Sequence, residues 1–79
     1  MIKVLFFGPV ADRIQTREMS FEATPGITVS DIIARIAAQH PGALDMVSFI
    51  AVNQEQVQDR QTLLRDGDEV ALMAKFSGG

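Results

Sequence analysis

The chain ends in Phe76-Ser77-Gly78-Gly79, and a closing double glycine is a place where the backbone itself can be the reactive part. Glycine has no Cβ and reaches backbone angles closed to other residues, so such a tail is thin and pliable. It suits a narrow channel through which the terminal carboxylate of Gly79 reaches a second protein's active site. That carboxylate is a poor acyl donor as it stands, because oxide is a bad leaving group. Attack on the α-phosphate of ATP turns it into an acyl-adenylate, which a nucleophile opens. A persulfide sulfur supplied by a partner would leave a thiocarboxylate there, a carrier of nucleophilic sulfide. The chain has no cysteine, so it can carry sulfur only at that carboxylate. A frayed terminus of small residues stands beside this reading.

Elsewhere the chain offers little chemistry. His40 is the only histidine. It falls at the C-terminal end of a helical pattern, where a cation suits the macrodipole. Asp66 and Asp68 flank Gly67 in a turn, and no carboxylate spacing resembles a calcium loop. Ser30 and Ser77 lack the flanks of a nucleophile elbow, and Gly8 belongs to no phosphate-binding glycine pattern. Without cysteine, disulfides, thiolate catalysis and iron–sulfur ligation are excluded. No metal site is expected, and no cofactor held by this chain.

Seventy-nine residues allow one domain with a modest core. Net charge is −3, with 7 Lys+Arg against 10 Asp+Glu and no basic cluster, which argues against nucleic acid as a partner. The longest apolar run near the start, Val4-Leu5-Phe6-Phe7, falls far short of a bilayer span. No export signal is visible, so no membrane partner and a cytoplasmic location are expected.

The elements that must position the tail follow from the patterning. Ile2 to Phe7 reads as a strand stopped by Gly8-Pro9. Its pleat sends Ile2, Val4 and Phe6 one way and Lys3, Leu5 and Phe7 the other. Ala11 to Gln15 makes a helical turn. Glu18 to Glu22 alternates, with Met19 and Phe21 on the buried side. After the Pro25-Gly26 turn, Val29, Ile32, Ile33, Ile36 and Ala37 form the apolar stripe of a helix. Thr28 is its N-cap, and Pro41-Gly42 ends it. Phe49 to Val52 is a short strand, Asn53-Gln54 a turn, and Val57 lies on a brief further strand. Asp66-Gly67-Asp68 turns into a last strand, Glu69 to Phe76, with Val70, Leu72 and Ala74 on one face.

One amphipathic helix over one face of a mixed sheet buries both apolar surfaces. The expected fold is α+β, the β-grasp or ubiquitin-like architecture. Residues 1–75 form the domain and residues 76–79 a flexible tail. The helix is expected to be a crossover that returns the next strand beside the first. In β-grasp order the first and last strands are neighbours. Leu5, Phe7 and Met73 then form an apolar patch on the outer face, at the root of the tail. Contiguity makes that patch a docking site for a protein partner, with Phe76 as an anchor.

The opening MIKVLFFGPVADR, the central FIAVNQ, the LLRDGDEVALM segment and the closing SGG together resemble the small, sulfur-carrying subunits of molybdopterin synthases. The resemblance runs from Met1 to Gly79. It implies that a ubiquitin-activating-like adenylyltransferase uses ATP to adenylate Gly79, and that a sulfur donor protein supplies the atom of the thiocarboxylate. The tail then inserts into the large synthase subunit, which converts a cyclic pyranopterin precursor into the dithiolene of molybdopterin. By the same resemblance the catalytic side chains belong to the large subunit, in a heterotetramer with two of each chain.

Two positions depart from the family pattern. Ala74-Lys75-Phe76 replaces a Pro-Pro-Val type segment that would stiffen the tail's exit. Gln56 stands where an apolar residue often joins the docking patch. The thiamine-pathway sulfur carrier shares the fold and the tail, but its first half is typically shorter than the FFGPVADRIQT stretch makes this one. A ubiquitin-like modifier forming isopeptide bonds, or an inert β-grasp module, also fits the pattern of strands.

Overall fold

In a computed structural model of the chain, described here for residues 1–75, the first strand is β1, Ile2–Phe6. Ile2, Val4 and Phe6 are buried, while Lys3 is exposed and Leu5 half-buried, as β-pleat alternation requires. The strand ends one residue earlier than the sequence suggests, because Gly8 takes φ 55°, a conformation glycine adopts freely. Phe7 still donates its N–H to the Leu72 carbonyl at 3.3 Å, so it is held in line with the sheet. Pro9 then opens α1, Pro9–Ile14. Proline fits that first turn, where its missing N–H would have no intrahelical partner. Val10 and Ile14 anchor the helix in the core.

β2, Glu18–Phe21, pairs antiparallel with β1. α2, Val29–Gln39, starts with a complete capping box. Thr28 Oγ1 accepts from the Asp31 N–H at 3.2 Å, and Asp31 Oδ2 accepts from the Thr28 N–H at 2.9 Å. Two further donors of the first turn, the N–H groups of Val29 and Ser30, bond the carbonyls of Thr62 and Arg60. Between them these bonds answer the orphan donors that a helix start leaves. At the other end the His40 N–H donates to Ile36 at 2.9 Å, and His40 is the C-cap. Val29, Ile32 and Ile36 are the fully buried members of the stripe. They pack with Ile2, Val4, Ile50, Val70 and Leu72 in one core. Each such side chain contributes about 1.5–3 kcal/mol by leaving water.

β3, Val47–Val52, and β4, Glu55–Val57, form a hairpin through Asn53 and Gln54. Both turn residues have positive φ, 52° and 70°, the pairing that a two-residue hairpin turn of this hand requires. β3 begins two residues before the expected Phe49, and a register shift between Val47 and Phe49 leaves Ser48 as the extra residue of a bulge. That extra residue lets Val47 join the core while Phe49 lies on the opposite face.

β5, Glu69–Ala74, closes the sheet in the order β2-β1-β5-β3-β4. The expectation that the strand after the helix returns beside the first strand is wrong. β5 occupies that slot, parallel to β1 and antiparallel to β3. The core face of β5, with Val70 and Leu72 buried, fills the centre of the sheet where neither edge position would cover it. The first and last strands are neighbours, as expected. β5 ends at Ala74, so the predicted last strand is shorter. Of the rest of that predicted strand, Lys75 is exposed and outside β5, and Phe76, together with Ser77, Gly78 and Gly79, lies outside the described residues.

Candidate functional site: an apolar platform on the open sheet face

The helices cover one face of the sheet, and the other carries the residues that alternate outward. The β1–β5 register sets Leu5 opposite Ala71, with Phe6 opposite the core residue Leu72. The β5–β3 register sets Met73 opposite Phe49 and Ala71 opposite Ala51. Phe7 is 47 % exposed and Phe49 38 % exposed, while Leu5 and Met73 are half-buried. Three central strands thus present Leu5 and Phe7, Ala71 and Met73, and Phe49 as one contiguous apolar surface, with the small, buried Ala51 between them. An antiparallel or mixed sheet face turned to water normally alternates to polar residues.

The platform has a polar frame. On the β2 side Glu18 lies opposite Leu5 and Ser20 opposite Lys3. At its lower end Lys3 faces Glu69 across β1 and β5. On the β4 side the exposed Gln56 lies opposite Ala51. An apolar centre with a polar rim is the general anatomy of a protein-docking surface.

Leu5, Phe7 and Met73, singled out from the sequence, therefore share one face. Phe49 was missed. The signal was present, since Ile50 is the core residue of an apolar run and its predecessor must face the other way. The small residues Ala51 and Ala71 were missed for another reason: their role is to leave the platform flat, which pairing reveals and sequence does not.

Beside the platform lies a concavity of about 390 Å³, between the end of β1, the first turn of α1 and the start of β2. Leu5, Phe7 and Ala11 line it, with Asp12, Arg17 and Glu18 around them.

The other candidates are structural. Asp66 pairs with the Met1 amino group. That hydrogen bond, and then the amine's charge, hold the Asp66 carboxyl below its ordinary range. Asp68 accepts from the Arg65 N–H at 2.8 Å and from Asn53 Nδ2 at 3.0 Å. Asn53 Oδ1 in turn accepts from the Glu69 N–H at 3.0 Å. These bonds clasp the β3–β4 turn to the turn that enters β5. Among the described residues no group of histidine and carboxylate side chains is placed to hold a metal ion, and no helix is long and apolar enough to cross a membrane.

A five-stranded mixed sheet with one main helix on one face, and parallel first and last strands at its centre, defines a ubiquitin-like β-grasp protein. The Haloferax volcanii protein SAMP1 has this fold: TM-score 0.83, 22% identity, 99% of this chain and 98% of that one. Residues 4–79 match the ThiS family, and the chain belongs to it. It is 43% identical over 83 residues to the molybdopterin synthase sulfur carrier subunit of Chlamydomonas reinhardtii, covering 99% of this chain and 98% of the relative. The Homo sapiens protein of the same name is 32% identical over 82 residues, covering 99% and 93%. A chain in the complex of subunits 1 and 2 of molybdopterin-converting factor from Helicobacter pylori 26695 superimposes with TM-score 0.69 at 27% identity, covering 99% and 97%.

Proposed function

We propose that this chain is the sulfur-carrier subunit of a molybdopterin synthase and that Gly79 is its reactive residue. The observation that carries the reading is the full-length similarity, at 43% identity, to a molybdopterin synthase sulfur carrier subunit. The platform supports it, because Met73 lies on that surface only six positions before Gly79. An extended chain of six residues reaches about 20 Å, so a protein seated on the platform has the carboxylate within its own active site's reach.

In this reading an adenylyltransferase docks first, and the Gly79 carboxylate attacks the α-phosphorus of ATP with loss of pyrophosphate. A sulfur donor protein's persulfide displaces AMP, and thiol cleavage of the resulting acyl disulfide leaves the thiocarboxylate. The large synthase subunit then takes the tail and uses its sulfur to build the dithiolene on the cyclic pyranopterin precursor. The carrier supplies the nucleophilic sulfur and the docking energy. The large subunit supplies the catalytic side chains, in a heterotetramer with two of each chain. The chain itself holds no cofactor, and ATP is consumed by the activating enzyme. The compartment is the cytoplasm.

The test is a variant with one residue added after Gly79. It moves the carboxyl carbon by about 3.5 Å, and catalysis is sensitive to displacements near 1 Å. We expect an unchanged melting temperature and loss of molybdopterin formation in a reconstituted synthase. Full activity from a variant shown by mass to keep its extra residue contradicts the proposal.

A further inference from the structure

We infer that the concavity beside the platform is a socket for an arginine side chain of the protein that docks there. The inference rests on the docking reading above and adds to it a second, polar recognition element. Leu5 and Phe7 belong to both surfaces, so a partner seated on the platform also covers the mouth of the concavity. Its volume of about 390 Å³ leaves room for one long side chain and some water.

The lining says which side chain. Leu5 and Ala11 offer an apolar wall for an aliphatic stem, the part of arginine or lysine that packs on hydrocarbon. Phe7, 47 % exposed, presents an aromatic ring where a cation gains from the ring quadrupole. Asp12 and Glu18 stand at the rim with a single opposing cation, Arg17. Among the described residues the only ion pair is that of Met1 with Asp66. Neither the Asp12 nor the Glu18 carboxylate accepts a hydrogen bond there. The rim is therefore one negative charge in excess, with acceptors to spare. A planar guanidinium answers two carboxylates and an aromatic ring at once, which the point charge of lysine does not.

Both acids are carried on hydrogen-bonded backbone. Glu18 is held by the pairing of β2 with Leu5, and Asp12 by the first turn of α1. Preplaced charges of this kind select among partners and raise the association rate more than they raise affinity at the platform itself.

The test is titration calorimetry of the full chain with the large synthase subunit of the same organism. Asp12→Lys combined with Glu18→Lys should weaken binding about tenfold or more and reverse its dependence on salt. Ala11→Phe, which fills the concavity without changing charge, should weaken it as well. Both should melt near the wild-type temperature. An Arg→Glu change at one position of the large subunit should restore binding of the charge-reversed chain. If both variants bind within about twofold of wild type while Met73→Asp abolishes binding, the platform docks and the socket is refuted. If Met73→Asp also binds normally, the docking reading itself fails and takes the socket with it.

Discussion

Gly78 precedes Gly79, the residue proposed to react, and its missing side chain is the property that a close-fitting channel would select. Gly78→Val restricts the backbone and widens the segment, so sulfur transfer should fall sharply while the melting temperature holds. Gly78→Ala should be intermediate, since its methyl is small but the positive-φ freedom of glycine is lost. Separate measurement of adenylation and sulfur transfer shows which partner's channel is stricter. Equal rates for all three residues would mean that no close-fitting channel exists. The double glycine is a local pattern of the sequence, and its role rests on the measurements proposed here. Leu5 and Phe7 were legible because alternation around Ile2, Val4 and Phe6 fixes where they point. Phe49 was legible by the same alternation, as the neighbour of the core residue Ile50, and what the Ser48 bulge hides is Val47, whose parity it breaks from the rest of β3.

At the scale of elements, α2 was the most legible, because its stripe and its Thr28 cap are both periodic or local signals. The placing of β3 beside β5 and not beside β1 was not, since strand pairing leaves no mark on either segment alone. The outer face of those three strands is where a charge should separate docking from folding. Phe49→Asp or Phe7→Asp places a carboxylate in water in the free domain but in an apolar interface in the complex. Burying an unpaired charge costs several kcal/mol, so affinity for the large subunit should drop at least about 100-fold by calorimetry. The melting temperature should change little. Unfolding of either isolated variant would instead assign these residues to the core.

For the molecule as a whole, the two ends of the chain have different work. Met1 is tied to Asp66 at the turn between Leu64 and β5, which fastens the start of β1 beside the entry to β5. The Asp66 carboxyl is held below its ordinary range by the Met1 amine. A carboxyl depressed in the folded state adds stability above its unfolded value, and that stability is lost as pH falls through the folded value. Urea midpoints of the untagged chain should therefore decline from the ordinary carboxylate range downward, and Asp66→Asn should make that decline shallower. Because the group is exposed, the effect should be small and weakened by salt. An identical acid limb in both proteins would show that the pair contributes nothing to stability.

The far end carries the central claim, that Gly79 bears sulfur. It is tested most directly by the intact mass of the chain purified without reductive or alkylating treatment from cells making molybdenum cofactor. The account predicts a population heavier by the exchange of one oxygen for sulfur, with fragmentation placing the increment on Gly79. That population should vanish when the activating enzyme is deleted. A chain carrying only the ordinary carboxylate in cells that form the cofactor at full rate, and still only the carboxylate in a second strain whose large subunit is removed to trap the loaded form, would contradict it.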